Sequence, residues 1–339
     1  MTSKPKLQTV AKAAGVSTAT ASQVMRGAGR ISEATRKKVM AAAKELHYVR
    51  DGRAASMRSG ENREIGFAIH QIANPFNAEV ISGVSDLLES EGYLVSVLDS
   101  RDDTERQRRN LEAFIQSSRG GLLWVPAQDT EDETYDLLAA HGMPTVTFLR
   151  RSGKGRFDHV GLENFEASLM ATRHLTNLGH RRIAYFGGAA HFGVRTERIA
   201  GYTEGLAEIG VHDLVIWDTP DDKISGMHAM SALHKAHPDI TALVCNGDMI
   251  AIGACAAINQ MGMTPGQEIS VIGFDDIQDS AIASPPLTTL AVSPYQLGRK
   301  LARVVLDRIR DPQMPTATSL IPAELIIRST TGAPLTNQV

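Results

Sequence analysis

The sequence predicts an α/β protein: an N-terminal all-α helix-turn-helix head over residues 1–49, then a two-lobed body with parallel sheets over residues 64–339. Three observations predict it. Charge divides the 339-residue chain unevenly, because residues 1–63 hold 13 Lys and Arg against 4 Asp and Glu while the rest hold 22 against 34. A basic head therefore precedes an acidic body although the net charge is only −3, the footprint of a polyanion-binding module joined to a soluble domain. Two short helical stretches flank a glycine near the start, and from Glu64 onward strand-like runs alternate with helical ones.

The head comes first. Leu7 to Ala14 reads as a helix with Val10, Ala11 and Ala14 on one face, and Gly15 stands where a left-handed helix stop belongs. Ser17 caps a second helix, Thr18 to Arg26, which Gly27 ends. The turn between them is about three residues, and Ala11 lets the helices approach, so the second helix can offer its N-terminal residues to the major groove. A third helix, Glu33 to His47 after the cap Ser32, carries Val39, Ala42, Ala43 and Leu46 at core spacing. Its remaining positions include Arg36, Lys37, Lys38 and Lys44, suited to phosphate contacts.

Residues 50–63 follow as a hinge segment. A helix capped by Asp51 and ending at Met57 has about two turns, and Gly52 weakens it, so it is expected to form only on DNA. In the body, Ile65–Ile69 and Leu94–Leu98 are strands around a helix from about residue 77 to 91. Ile183–Phe186, a helix to Ile209 and Leu214–Trp217 repeat that unit. Glu79, Gly83 and Gly92 recur at the same offsets as Glu197, Gly201 and Gly210, which predicts two similar lobes. Ligands of such sheets bind beyond the C-terminal ends of the strands.

Other classes are excluded by what the chain lacks. No apolar run reaches the ~18–20 residues of a membrane span, and the first residues lack a secretory core. Two cysteines, Cys245 and Cys255, make neither a disulfide framework nor a zinc site, which points to a reducing cytoplasm. No phosphate-cradling glycine loop, nucleophile elbow or zinc-binding His-Glu-x-x-His occurs, and His234 and His237 lack a third ligand. No enzyme activity, metal or cofactor is expected.

Particular stretches are more specific. Ala14-Gly-Val-Ser-Thr-Ala-Thr-Ala-Ser-Gln-Val-Met, Ile31-Ser, Thr35-Arg-Lys-Lys-Val and Glu45-Leu-His-Tyr-Val resemble the head of the LacI/GalR family of transcription regulators. Asn74-Pro-Phe, Leu178-Gly-His-Arg-Arg-Ile, Arg198-Ile-Ala-Gly-Tyr, Asp248-Met-Ile-Ala-Ile-Gly, Ile269-Ser-Val-Ile-Gly-Phe-Asp-Asp and Pro285-Pro-Leu-Thr-Thr-Leu extend the resemblance to its periplasmic-binding-protein-like body. The resemblance implies a homodimeric repressor on a pseudo-palindromic operator, with a carbohydrate effector held between the lobes; a purine-like effector or none is the alternative. It implies DNA contacts from Ser17, Thr18, Ala19 and Gln23, with Ala54 and Met57 of the hinge in the minor groove. It also implies effector contacts from Phe76, Asn77, Arg150, Arg198, Asp221, Asp248 and Asp275. Lobe crossings are expected near residues 161, 292 and 323. The sequence departs from the family where Lys6, Thr9, Ala21 and Gln23 stand, and where Gly247 separates Asn246 from Asp248. The C-terminal residues carry no leucine heptads for a tetramerising coiled coil.

Overall fold

A computed structural model describes residues 5–49, 62–117, 120–151, 155–189 and 193–335. The chain divides into two compact units, residues 1–62 and 63–339.

The first unit is three helices: α1 (Leu7–Ala14), α2 (Thr18–Met25) and α3 (Glu33–Glu45). Gly15 ends α1 with φ 65°, and the Val16 amide donates to Ala11 O at 3.0 Å, which tightens the turn. Ser17 Oγ accepts from Thr20 N at 3.0 Å and Ser32 Oγ from Thr35 N at 3.3 Å, so both expected caps form. Lys6 precedes α1 without a side-chain cap. Val10, Ala11, Ala21, Val24, Val39, Ala42 and Ala43 make the small core. α3 stops two residues earlier than the sequence predicts because His47 turns left-handed at φ 48°.

In the second unit the elements run β1 (Glu64–Ile69), α4 (Pro75–Ser90), β2 (Leu94–Asp99), α5 (Thr104–Gln116), β3 (Gly121–Trp124), α6 (Asp132–Ala140), β4 (Thr145–Phe148) and β5 (Asp158–Leu162). They continue with α7 (Asn164–Asn177), β6 (Ile183–Phe186), α8 (Gly193–Ala207), β7 (Val215–Trp217), α9 (Lys223–Ala236), β8 (Ala242–Cys245) and α10 (Asp248–Gln260). β9 (Ser270–Asp275), α11 (Gln278–Ile282), β10 (Thr288–Ala291), α12 (Pro294–Arg310), β11 (Thr318–Ile321) and β12 (Glu324–Ile326) complete the chain.

The strands form two six-stranded sheets ordered β11-β5-β4-β3-β1-β2 and β12-β10-β9-β8-β6-β7. Position by position the second order repeats the first, as the matched glutamates and glycines predict. One pairing breaks the parallel pattern: β12 runs antiparallel to β10, whereas β11 is parallel to β5. Alternation places Ile65, Phe67 and Ile69 with α4 and α12 on one face of β1, and Ala68 with Leu111 of α5 and Tyr135 of α6 on the other. In the second sheet Ile183 and Tyr185 face the α7 and α8 side, while Ala184 and Phe186 face α9 and α10. The paired glycines have a packing reason. A Cβ on Gly83 would lie 2.0 Å from Tyr295 O of α12, and one on Gly201 would lie 2.1 Å from Phe165 O of α7. The chain passes between the sheets after β5, after β10 and between β11 and β12.

Candidate functional site

In the head, Ser17, Thr18, Ala19 and Gln23 are exposed while Ala21 and Val24 of the same helix are buried. The face of α2 that packs is therefore opposite the face that offers Thr18, Ala19 and Gln23. Ser17 spends its hydroxyl on Thr20, at 3.0 Å to the amide and 2.9 Å to Oγ1, and so starts the helix. Lys37, Lys38 and Lys44 are exposed on α3. Ala54 and Met57, expected in the minor groove, lie outside the described residues.

The body holds a cleft of about 290 Å³ between the C-terminal ends of the two sheets. The first sheet contributes His70, Asn74, Phe76 and Asn77 after β1, Asp102 after β2, and Arg150 after β4; the second contributes Asp221, Asn246 and Asp275, with Arg195 and Arg198 from α8. Six of the seven sequence-predicted effector residues thus meet here: Phe76, Asn77, Arg150, Arg198, Asp221 and Asp275.

Each is held differently. Asn74 caps α4 by accepting from Phe76 N at 3.0 Å. Phe76 lines the cleft but its ring stacks on Phe148 at 6.2 Å and is only 3% exposed, so it serves chiefly as core. Asn77 donates to Gln71 O at 2.6 Å while its Oδ1 is buried without a partner. Arg150 forks onto Asp102 at 2.5 and 3.1 Å and reaches Pro126 O at 3.0 Å. Burial alone would raise the Asp102 carboxyl, but the Arg150 fork and the Gln128 amide outweigh it and hold it below its ordinary value. Beside it His70 is pushed down to about 4, first by burial and then by Arg150, and its Nδ1 has no partner.

On the facing lobe, Arg198 lies over the Phe274 ring at 3.5 Å, donates from Nε to Asn164 Oδ1 at 2.9 Å, and bonds Asn246 O. Asn246 donates to Asp221 Oδ2 at 2.7 Å and accepts from Tyr185 at 2.8 Å. Asp221 Oδ1 is left buried and unpaired, and burial raises this carboxyl. Asp275 sits at φ 118°, a strained conformation for a side-chain-bearing residue, and its carboxyl accepts no hydrogen bond among the described residues. Burial drives its carboxyl well above the carboxylate range despite the pull of Arg198.

Asp248 departs from the sequence reading. It is fully buried and does not line the cleft. Nor does it cap α10; it accepts from Ile277 N at 2.9 Å, Ser280 Oγ at 2.7 Å and Thr289 Oγ1 at 2.5 Å, bracing α10 to the β9–β10 segment. Gly273 opens the slot, since a Cβ there would lie 2.0 Å from Asp248 Oδ1. Asn246, two positions earlier, lines the cleft where Asp248 does not. The sequence reading missed His70, Asp102 and Arg195; only their place just after strands or near a helix start marked them.

The chemistry on these walls is acceptor-rich and nearly free of aromatic platforms. Carboxyls that burial raises, amides and the guanidinium groups of Arg150, Arg195 and Arg198 suit hydroxyl groups, which both donate and accept.

Comparison with known proteins agrees with this architecture. Residues 6–51 match the family described as bacterial regulatory proteins, lacI family, and residues 172–331 match a periplasmic binding protein-like domain. The chain is 30% identical over 334 residues to the maltose regulon regulatory protein MalI of Escherichia coli (strain K12), covering 95% of this chain and 98% of the relative. It is 31% identical over 333 residues to the HTH-type transcriptional repressor PurR of Aliivibrio fischeri (strain MJ11), covering 95% and 97%. The solved lac repressor dimer bound to operator and the anti-inducer ONPF matches with a TM-score of 0.86 at 25% identity, covering 98% of this chain and 100% of that one. With identity at this level along nearly the whole chain, the protein belongs to the lacI family of bacterial regulatory proteins and is a DNA-binding transcription regulator with an effector-binding body, not an enzyme.

Proposed function

We propose that the protein is a cytoplasmic repressor that binds a pseudo-palindromic operator as a homodimer, and that a neutral, hydroxyl-rich molecule of the sugar class sets its operator affinity. Residues 1–49 read DNA, residues 50–63 form the hinge, and residues 64–339 bind effector and dimerise. Gln23 pairs with adenine through its amide, Thr18 and Ala19 make apolar contacts to thymine methyls, and Ser17 fixes the helix start that aims them. Ala54 and Met57 act in the minor groove. The lac repressor dimer on operator supports the paired arrangement, and the names of MalI and PurR support regulation by repression of a metabolic regulon.

One observation carries the effector class. Among the described residues, five buried side-chain polar atoms have no partner, and three of them, His70 Nδ1, Asn77 Oδ1 and Asp221 Oδ1, belong to residues lining one cleft. Buried polar atoms are normally bonded, so a cluster of orphans around a cavity marks groups that a ligand satisfies. The carboxyls of Asp221 and Asp275 disfavour an anionic ligand. Phe76, turned into the core, offers no stacking face to a planar base. Effector then acts by binding the DNA-competent and incompetent states unequally.

The test combines two measurements on the full chain. Duplexes selected from a random library should bind in preference to competitor DNA. In a thermal-shift panel of ribose, glucose, maltose, cellobiose, guanine and hypoxanthine, a sugar should raise the melting temperature and change the affinity for the selected duplex. A nucleobase acting alone would overturn the sugar class, and absence of any duplex preference would overturn the operator role.

A further inference from the structure

The cleft continues beyond the residues just described. A second hollow of about 270 Å³ adjoins the first of about 290 Å³, and both are walled by Leu149, Arg150 and Val194. Its other walls are Gln128 and Thr130 after β3, Tyr135 of α6, and Gly193 and Glu197 of α8. Singly, each hollow falls below the roughly 300–1,000 Å³ of ordinary ligand pockets; together they lie well inside it.

The outer hollow is built, and it differs from the inner one. Tyr135 is 7% exposed and rests on Trp124 at 5.0 Å, and the Trp124 indole N–H is anchored on Gln107 Oε1 at 2.9 Å, so the ring is a rigid floor. Arg150 is forked onto Asp102, which removes it as a counter-charge for an anion, and the remaining charged walls are one cation, Arg151, against two carboxylates, Asp129 and Glu197. A phosphate arm therefore finds no favourable site, whereas hydroxyls find an amide, a hydroxyl and a carboxylate. One side chain ties the hollows together. Asn164 accepts from Arg198 Nε at 2.9 Å and donates to Glu197 Oε2 at 2.9 Å, so an inner-wall residue and an outer-wall residue are held in one register.

We propose that the effector is a disaccharide, with one ring between Asp275, Arg198 and Asp221 and the second ring in the outer hollow over Tyr135, its hydroxyls on Glu197 and Gln128. This rests on the sugar reading above and deepens it. Gly193 provides the decisive variant. It lines the outer hollow, its φ is not left-handed, and an added Cβ meets nothing within 4 Å, so Gly193→Trp starts from open space at the wall of the hollow it is meant to fill.

Isothermal titration of the full chain with glucose and galactose against maltose, cellobiose and lactose tests the proposal. At least one disaccharide should bind tenfold or more tightly than its component monosaccharides. Gly193→Trp should weaken that disaccharide at least tenfold and leave the monosaccharides unchanged. Glu197→Gln, which keeps an acceptor for Asn164, should weaken the disaccharide selectively and serves alone if the tryptophan variant fails to fold. A monosaccharide binding as tightly as every disaccharide, with neither variant altering the ratio, overturns the two-ring effector and leaves the sugar reading standing. Absence of binding by all five sugars overturns both.

Discussion

Gln23 and Asp275 are opposite kinds of functional side chain, and each predicts its own mutant. Gln23 is exposed on a helix whose buried face is Ala21 and Val24, so it contributes little to the fold. Gln23→Ala should leave the melting temperature unchanged and cost about 1–3 kcal/mol of binding to a selected duplex, with specificity relaxed at one base pair per half-site. Lys37→Ala on α3 should instead weaken all duplexes alike and lower the slope of log affinity against log salt by about one per contact removed. Anisotropy titrations at several salt concentrations separate the two behaviours, and identical effects of the two variants on sequence preference would contradict the assignment. Asp275 is 9% exposed, and its carboxyl accepts no hydrogen bond among the described residues and is raised by burial. A group that burial holds above its ordinary pKa opposes folding at neutral pH. Asp275→Asn should therefore melt no lower than the parent at pH 7, and sugar binding should fall at least tenfold. A lower melting temperature would make Asp275 a structural residue.

Packing between elements explains what the sequence made legible and what it hid. Caps and turns are local, so Ser17, Ser32 and Gly15 mark the head helices within a residue or two, and only the left-handed His47 shortens α3. The repeated Glu and Gly spacing exposed the duplicated lobe because close helix crossings need a missing side chain. Gly201→Val should accordingly cost at least about 1–3 kcal/mol in urea unfolding, since its Cβ position lies 2.1 Å from the backbone oxygen of Phe165. Gly193→Ala, with nothing within 4 Å, should stay within about 0.5 kcal/mol. Equal effects at the two sites would refute the crossing argument. A strand end placed Asp275 at the cleft and the family resemblance placed Arg198 and Asp221 there, but no local pattern separates them from Asp248. Its burial depends on Gly273, 25 positions away, opening a slot, and on three donors from other segments. The orphan atoms of His70 and Asn77 were equally invisible, because lacking a partner is a property of the packed molecule. The antiparallel β12 was hidden too, being set by where the chain crosses back between the lobes.

At the scale of the body, buried acids and buried histidines oppose one another, and the opposition predicts an unusual response to pH. His70 and His159 are each pushed from 6.5 down to about 4, mainly by burial, so on acidification the unfolded chain takes up protons before the folded one. Their contribution is present above pH 6.5 and lost between about 6.5 and 4, up to ~3 kcal/mol each. Asp248 is raised by burial from 3.8 to about 7, and Asp275 is raised too, so the folded chain binds those protons first. Their effect has the opposite sign: stability is gained as pH falls from 7 toward 4. Between pH 6.5 and 4.5 the two acids therefore offset part of the stability that the two histidines lose, which a urea midpoint measured across that interval reads. Both tryptophans, Trp124 in β3 and Trp217 in β7, lie in the body, so their fluorescence follows this unit without a signal from the head. Removing one side of the balance should expose the other. Relative to the parent, Asp275→Asn should lose more stability on acidification over that interval, whereas His70→Gln should lose less. If both variants kept the parent's profile, the cleft acids and histidines would not be titrating against each other, and selection of a neutral ligand by carboxyls that burial raises would lose its electrostatic basis.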